Sequence, residues 1–404
     1  MNIFKNKKVG NIRTVSFLGI QLYKTEDSIN QRVQHILGNL IYTKRLRTGI
    51  KEKKIFKILN FPISKRVLEN DTYQYYFLNK LVKRVLLPEH FYNCYLKKIK
   101  IKFDDVYILQ CNSGEIYLFF AYIVKSLLQK KSSKNPLFIA TQAYHIDIMK
   151  MYFPNAKYVY LKDLRLKTQS NQWYYNGHKI YMIFSGIHLE HVELDVKNKE
   201  IGTVHYLKNI MNTLDLTPDD FTEPNAIISL NTKNSLSNKI NNMQLKINKF
   251  VILAPEAKTC IELPFGFWNN IALELSKKGF DIFLNITDKK NLITNCKTDK
   301  LDFAELYCLA QKAKAIISLR SGLSEFVLPT NIPNIAIYTK FRDRNPDVAF
   351  SVERGIAGFS MLKMPFINED KIIEINADKY KTLDELKEVT IKSFESLTNI
   401  EENL

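Results

Sequence analysis

From Asp104 onward the sequence alternates between two textures, and this alternation limits the folds open to the chain more than any other feature. "DVYILQ" reads as a buried strand, "CNSGE" as a turn and "IYLFFAYIVKSLLQKK" as a helix with a basic C-terminal end. "NPLFIAT" is then a strand, "AYHIDIMKMYF" a helix, and "PNAKYVYL" and "HKIYMIF" are two further strands. A βαβαβ order predicts a parallel, doubly wound sheet, because parallel neighbours need a crossover helix to return the chain. Residues 229–248, "SLNTKNSLSNKINNMQLKIN", are rich in Asn, Ser and Lys and predict a linker.

After that stretch the alternation restarts. "KFVILAPEA" is a strand and loop, "FGFWNNIALELSKKG" a helix closed by Gly279, and "FDIFLNI" a strand. "LDFAELYCLAQKA" is a helix, "AIISL" a strand, "SGLSEFVLP" a helix start and "PNIAIYT" a strand. "DELKEVTIKSFESLTNI" closes the chain as one amphipathic helix. The expected layout is therefore an α/β protein with two Rossmann-like domains. Residues 104–228 form the first, 229–248 the linker, 249–375 the second and 376–404 a C-terminal helix.

The first 103 residues stand apart. They hold 22 Lys and Arg against 6 Asp and Glu, so +16 of the chain's net +18 lies in its first quarter. "RTVSFLGIQLYK" and "KIFKILNFPISK" share a basic start, an apolar centre and a basic end, a weak resemblance without a fixed period. Lysines interleaved with Ile, Phe and Leu suit the boundary of an anionic membrane, and equally the solvated face of an ordinary domain. Nucleic acid ranks behind both, since no binding motif is present. No apolar run reaches the roughly 18 residues of a transmembrane helix, and the N-terminal segment does not read as a signal peptide. A cytoplasmic protein, peripheral on the inner leaflet, is expected. Five cysteines without a CxxC pair argue against a disulfide framework or a zinc site.

The second α/β half resembles the ADP-heptose:lipopolysaccharide heptosyltransferase family, on "FVILAPEAKTCIELPFGFWNNIALELSKKGFDIFLNI" with Pro264 and Trp268, and on "ELYCLAQKAKAIISLRSGLSEFVLPTNIPNIAIY". "DVYILQCNSGEIYLFFAYI" extends the resemblance weakly into the first half, with Gly114-Glu115 where the family has Gly-Asp. The resemblance covers residues 104–340 and implies a GT-B fold, two domains facing a cleft behind a basic N-terminal extension. It implies a glycosyltransferase that moves a sugar from a nucleotide-sugar donor to a capsule or lipooligosaccharide acceptor, inverting, without a metal or other cofactor. Where the family has Asp-Ser/Thr-Gly-x-x-His, this chain has Arg320-Ser321-Gly322-Leu323-Ser324-Glu325. That Arg-Ser-Gly loop looks more like surface-polysaccharide glycosyltransferases.

Candidate residues follow. Arg320 follows a buried strand, where a guanidinium can grip a diphosphate. Gly322 lets backbone approach a phosphate, Ser321 can hydrogen-bond it, and Glu325 is in reach of a ribose. The alternative for Arg320 is a surface ion pair, and for Glu325 a favourable charge in the first helical turn. In "APEAKT", Glu256, Lys258 and Thr259 are donor-side candidates, Lys258 and Thr259 through the resemblance. The resemblance also makes Glu115 the general base; its alternative is a capping-box partner for Asn112. Tyr144 and His188 are acceptor-side candidates, with half-burial as the alternative. No Asp-x-Asp motif occurs. Two other readings compete with transfer: a nucleotide-sugar epimerase of the same fold, and a non-enzymatic membrane- or nucleic-acid-binding protein on a Rossmann scaffold.

Overall fold

The computed structural model describes residues 4–9, 12–17, 20–27, 31–37, 41–48, 51–58, 61–69, 71–100, 102–162, 164, 166, 172–184, 211, 214–257, 260–286, 296–342 and 349–398. The chain divides into two compact units, Met1–Ile108 with Asp163–Met182, and Leu109–Lys162 with Ile183–Leu404.

Unit 1 is built on a nine-stranded antiparallel meander in sequential order. Its strands are β1 (Phe4–Val9), β2 (Ile12–Phe17), β3 (Ile20–Asp27), β4 (Gln31–Ile36), β5 (Ile41–Thr48), β6 (Lys51–Ile58), β7 (Phe61–Glu69), β8 (Thr72–Phe77) and β9 (Lys80–Leu86). The expected basic extension is thus a folded sheet. The two resembling segments are two copies of a fourfold hexapeptide: FLGIQL (17–22), ILGNLI (36–41), ILNFPI (58–63) and FLNKLV (77–82). Each copy bridges one hairpin, β2–β3, β4–β5, β6–β7 or β8–β9, and starts lie 19, 22 and 19 residues apart. In the last, Leu78 (φ 46°) and Asn79 (φ 64°) occupy the two left-handed central positions of a two-residue hairpin turn. Three hairpins carry a register shift next to the tip, opposite Val15/Ser16, Phe56/Lys57 and Tyr75/Tyr76.

Helix α1 (Leu87–Cys94) begins with Pro88 in its first turn and packs against β8 and β9. His90 meets Tyr73 edge-on at 4.6 Å, and Phe91 is wholly buried, 6.5 Å from Trp173. Trp173 belongs to the antiparallel hairpin β13 (Gln172–Tyr175) and β14 (His178–Phe184), turned at Asn176-Gly177 with positive φ at both. Before β13 in the chain come β10 (Asp105–Gln110), α2 (Ser113–Leu118), a π-helical turn at Phe119–Ile123, α3 (Val124–Lys130), β11 (Leu137–Ala140), α4 (His145–Tyr152) and β12 (Lys157–Tyr160).

In unit 2, β11 and β12 pair in parallel across α4, the expected βαβ step. The apolar run in "IYLFFAYIV" is buried on all sides, as a helix between packed layers requires. The predicted linker is corrected: Leu230–Met243 forms helix α5, capped by the Ser229 hydroxyl, which accepts from Thr232 N. Leu236 and Ile240, four apart, give this polar helix the narrow stripe it buries, and Lys239 pairs with Glu305. Composition hid it because two apolar anchors suffice once a partner helix is at hand.

The second α/β half contains β15 (Phe250–Ala254), α6 (Phe265–Lys277), β16 (Asp281–Leu284), α7 (Phe303–Ala310), β17 (Ala315–Leu319), α8 (Gly322–Phe326) and β18 (Asn334–Tyr338). A short β19 (Phe341–Arg342) and β20 (Ala349–Phe350) hairpin, α9 (Val352–Phe359), β21 (Ile372–Asn376) and α10 (Leu383–Thr398) complete it. Strand order β16-β15-β17-β18-β21 is all parallel. Every residue of β15, β17 and β18 is buried, as a sheet covered on both faces demands. Gly279 ends α6 at φ 87°, which only glycine takes without strain. Numbering strands within this half gives the order 2-1-3-4-5, so the sheet reverses direction between β15 and β17.

Candidate functional site

In an open parallel sheet, ligands bind beyond the carboxyl ends of the strands, where the winding reverses. Here that point lies between the loop after β15 (Pro255–Cys260) and the loop after β17 (Arg320–Ser321). Glu256 stands half-buried in the first loop. Lys258, Thr259 and His188 lie outside the described residues.

The second loop is built from the strand outward. Arg320 N donates to Ile337 O at 2.9 Å, holding the residue in the β17–β18 ladder as the side chain leaves the strand end. Ser321 caps α8: Leu323 N donates to its Oγ at 3.3 Å, and Ser324 Oγ accepts from Ser321 N at 3.3 Å. Ser324 Oγ also meets Ser318 Oγ at 2.9 Å, and Asn334 Nδ2 donates to Ser324 O at 2.8 Å. The loop therefore has its shape without any ligand.

Arg320, expected at a donor diphosphate, is only 6% exposed as a residue. Its Nη2 donates to a Glu325 Oε1 and to Phe359 O at 3.1 Å, and the guanidinium lies 5.2 Å from the Phe359 ring. Glu325, 3% exposed, is engaged in the same pair. Sequence could name an ion pair as the alternative, but not that it would be buried. Burial follows from α9, whose Phe359 covers the guanidinium from a stretch of sequence about forty residues away.

Beyond the pair lies a polar cluster that the sequence gave no reason to assemble. The single Tyr338 Oη proton is shared between Glu374 Oε1 at 2.6 Å and Phe359 O at 2.9 Å. Ser360 Oγ and Met361 N donate to the two Glu374 oxygens, each at 2.6 Å. Burial pushes the Tyr338 hydroxyl well above its ordinary range, against the pull of the Arg320 charge, so it stays a neutral donor. Register explains the meeting: Ala336 opposes Glu374 in the β18–β21 ladder, placing Tyr338 two residues on along the same face.

The first α/β half contributes the loop after β10, Cys111–Glu115. Glu115 accepts from Asn112 N at 2.6 Å and completes a capping box with Asn112, so the helix-capping role has the geometry here. The Cys111 thiol is buried, donates to Ile183 O at 3.2 Å, and is raised well above its usual range by burial and by Glu115. It is no nucleophile.

Gly114 and Gly322 bring the two loops together within unit 2. A Cβ on Gly322 would lie 2.9 Å from Gly114 Cα and 3.2 Å from Gly114 N; one on Gly114 would lie 3.1 Å from Gly322 Cα and 3.4 Å from Glu325 Oε2. The starts of α2 and α8 thus touch backbone to backbone, which only glycine at both positions allows. Behind them Tyr117 meets Phe326 edge-on at 5.3 Å, and Tyr117, Tyr122 and Tyr152 form one aromatic cluster. The sequence singled out Gly322 and quoted Gly114, yet nothing in it paired them. Tyr144 precedes α4 in the turn after β11, 38% exposed, its ring 6.2 Å from Phe303. A separate cavity of about 550 Å³ belongs to unit 1, on β3–β5, lined by Lys24, Glu26, His35 and Tyr42 among others.

No group of three His, Cys, Asp or Glu side chains that could hold a metal occurs among the described residues. No family model matches the chain, and no curated protein matches it. Several solved structures do. ADP-heptose lipopolysaccharide heptosyltransferase II of E. coli matches at 12% identity over 72% of this chain and 98% of its own, with a TM-score of 0.43. A family 9 glycosyl transferase from Veillonella parvula matches at 13% over 75% and 99%, with a TM-score of 0.47. The dodecameric iron-containing glycosyltransferase TibC of enterotoxigenic E. coli matches at 13% over 94% and 90%, with a TM-score of 0.40. The chain is similar to these glycosyltransferases.

Proposed function

We propose that this chain is a glycosyltransferase that takes a sugar from a nucleotide-sugar donor and adds it to a surface glycan, of the capsule or lipooligosaccharide kind. The observation that carries the reading is the loop pair at the sheet's reversal point: Gly322, beside Arg320 and Ser321, in backbone contact with Gly114, beside Glu115. Such a pair brings two helix starts, a hydroxyl and a carboxylate to the place where this sheet topology binds ligands, with the Arg320 cation held behind them by Glu325.

Two rearrangements accompany donor binding on this reading. Arg320 exchanges Glu325 for the donor diphosphate, a bidentate partner of the same sign. Glu115 releases the Asn112 amide and accepts the proton of the acceptor hydroxyl as that oxygen attacks the anomeric carbon. The bond to the diphosphate breaks, and the nucleoside diphosphate leaves against Arg320 and Ser321. The transfer is inverting and independent of metal. The acceptor is lipid-linked, and the basic first 103 residues hold the enzyme on the anionic inner leaflet.

Thermal-shift binding of ADP, UDP, GDP and CMP, with and without Mg²⁺, tests the site on wild type, Ser321→Ala and Arg320→Ala. One nucleotide at a hundredfold excess over its Kd stabilises wild type by about 2.7 kcal/mol without metal. Ser321→Ala weakens that response and Arg320→Ala abolishes it. No response to any nucleotide would sink the reading. It would favour the non-enzymatic scaffold, which the mutual satisfaction of Arg320 and Glu325 supports.

A further inference from the structure

The fourfold hexapeptide has a consequence that its hairpins make visible. In a meander, alternate turns lie at opposite edges, so β2–β3, β4–β5, β6–β7 and β8–β9 all turn at one edge of the sheet. Among the described residues, that edge carries Ile36-Leu37, Ile58 and Phe77-Leu78-Asn79. Where the tips are described, their apolar side chains face water: Leu37 is 52% exposed, Phe77 54% and Leu78 56%, with Ile36, Ile58, Leu81 and Val82 also exposed.

Leu37 and Leu78 are held at φ 50° and 46°, a region where a leucine is strained and Asn or Gly is at ease. Folding alone favours Asn or Gly at both positions, yet the chain keeps an exposed leucine there. Charge is segregated along the same axis. All five acids of residues 4–86 sit toward the other edge: Glu26 and Asp27 end β3, Glu52 is second in β6, Glu69 ends β7 and Asp71 follows it. The charged residues that stand behind the tips are Lys44, Lys57, Lys65, Lys80 and Lys83, whereas Lys24 pairs with Glu26. Three residues of strand span roughly 10 Å, about the depth of a headgroup layer.

We propose that this edge is a membrane-inserting rim, whose leucine tips enter the acyl boundary of an anionic bilayer while the lysines behind them meet lipid phosphates. The Leu37 and Leu78 tips belong to hairpins four strands apart, roughly 20 Å, since strands lie about 4.8 Å apart. A nucleic acid would use the cations but leave the tips in water. A lipid surface uses both, and charge complementarity fixes it as an anionic one. The inference rests on the membrane contact proposed above and gives it a surface.

The test is co-sedimentation of the full chain with vesicles of phosphatidylcholine alone or mixed with phosphatidylglycerol. Wild type binds the mixed vesicles and not the neutral ones. Leu37→Asn/Leu78→Asn binds on the order of a hundredfold more weakly, about tenfold per buried leucine. Its melting temperature is unchanged or raised, because Asn accepts the left-handed backbone. Leu78→Trp shows a blue-shifted emission when mixed vesicles are added. Undiminished binding by the double Asn variant, or an unshifted Trp emission at saturation, overturns the rim and leaves a purely electrostatic, salt-sensitive contact. Failure of wild type to bind mixed vesicles overturns the membrane contact itself. Neither outcome bears on the nucleotide response.

Discussion

Breaking the Arg320–Glu325 pair one side at a time separates a structural role from a ligand role. Both side chains are buried, at 7% and 4% exposure, so neither charge regains water when its partner is removed. Removing one partner of a buried pair costs about 3–5 kcal/mol, because the survivor stays charged in a low-dielectric setting. Arg320→Ala also loses the Phe359 carbonyl bond and the ring contact, so about 4 kcal/mol is expected. Glu325→Gln keeps a hydrogen-bond acceptor, and Arg320 keeps Phe359, which limits the loss to about 2 kcal/mol. Arg320→Met with Glu325→Leu should recover most of the loss, since apolar residues of similar volume replace buried pairs at little cost. Urea denaturation of wild type, Arg320→Met, Glu325→Leu and that double variant gives the coupling energy. Single losses below about 0.5 kcal/mol, or a double variant as unstable as the sum of the singles, would refute the buried pair. The same proteins speak to function. If Arg320 trades Glu325 for a diphosphate, Glu325→Gln binds nucleotide more tightly than wild type although it is less stable. A Glu325→Gln protein with weaker binding would refute the exchange.

Gly322→Ala forces a Cβ to within 2.9 Å of the Gly114 backbone, where no side chain can yield, and should cost about 1–3 kcal/mol by urea denaturation. Gly266→Ala, which meets nothing within 4 Å, serves as its control. Glu305 has its carboxyl held below the ordinary 4.5: burial alone would raise it, and the bonds from Lys239 and Ser235 outweigh burial. A depressed carboxyl stabilises above its unfolded value and loses that contribution as pH falls through the folded one. Stability of wild type should therefore decline below about pH 4.5 more steeply than that of Glu305→Gln, which is about 2 kcal/mol less stable at neutral pH. Equal slopes for the two proteins would remove the Lys239–Glu305 pair from the acid response.

Local pattern alone carried much of the second α/β half. Runs such as "FVILA" and "AIISL" leave no polar face, so they had to be central parallel strands, and Gly279 marked a helix end. The same reasoning failed at residues 229–248, because a helix that needs only Leu236 and Ile240 as anchors looks like a linker in composition. In the first quarter the repeat was glimpsed in two of its four copies. Its meaning was hidden because period-2 alternation with lysines on both faces looks like a charged surface until strand order is known.

The chemical inventory was likewise in the sequence: an Arg-Ser-Gly loop after one strand and a Ser-Gly-Glu loop after another. What only the tertiary structure decided is which of those groups face one another. Arg320 is closed off by Phe359 and Glu325, Glu374 reaches Tyr338 across a strand ladder, and Gly114 meets Gly322 over about two hundred residues of chain. Local propensity depends on neighbours along the chain, and those the sequence states. Burial and pairing depend on neighbours in space. For a parallel sheet those arrive from distant segments, at positions set by the crossover connections rather than by any residue's own preference.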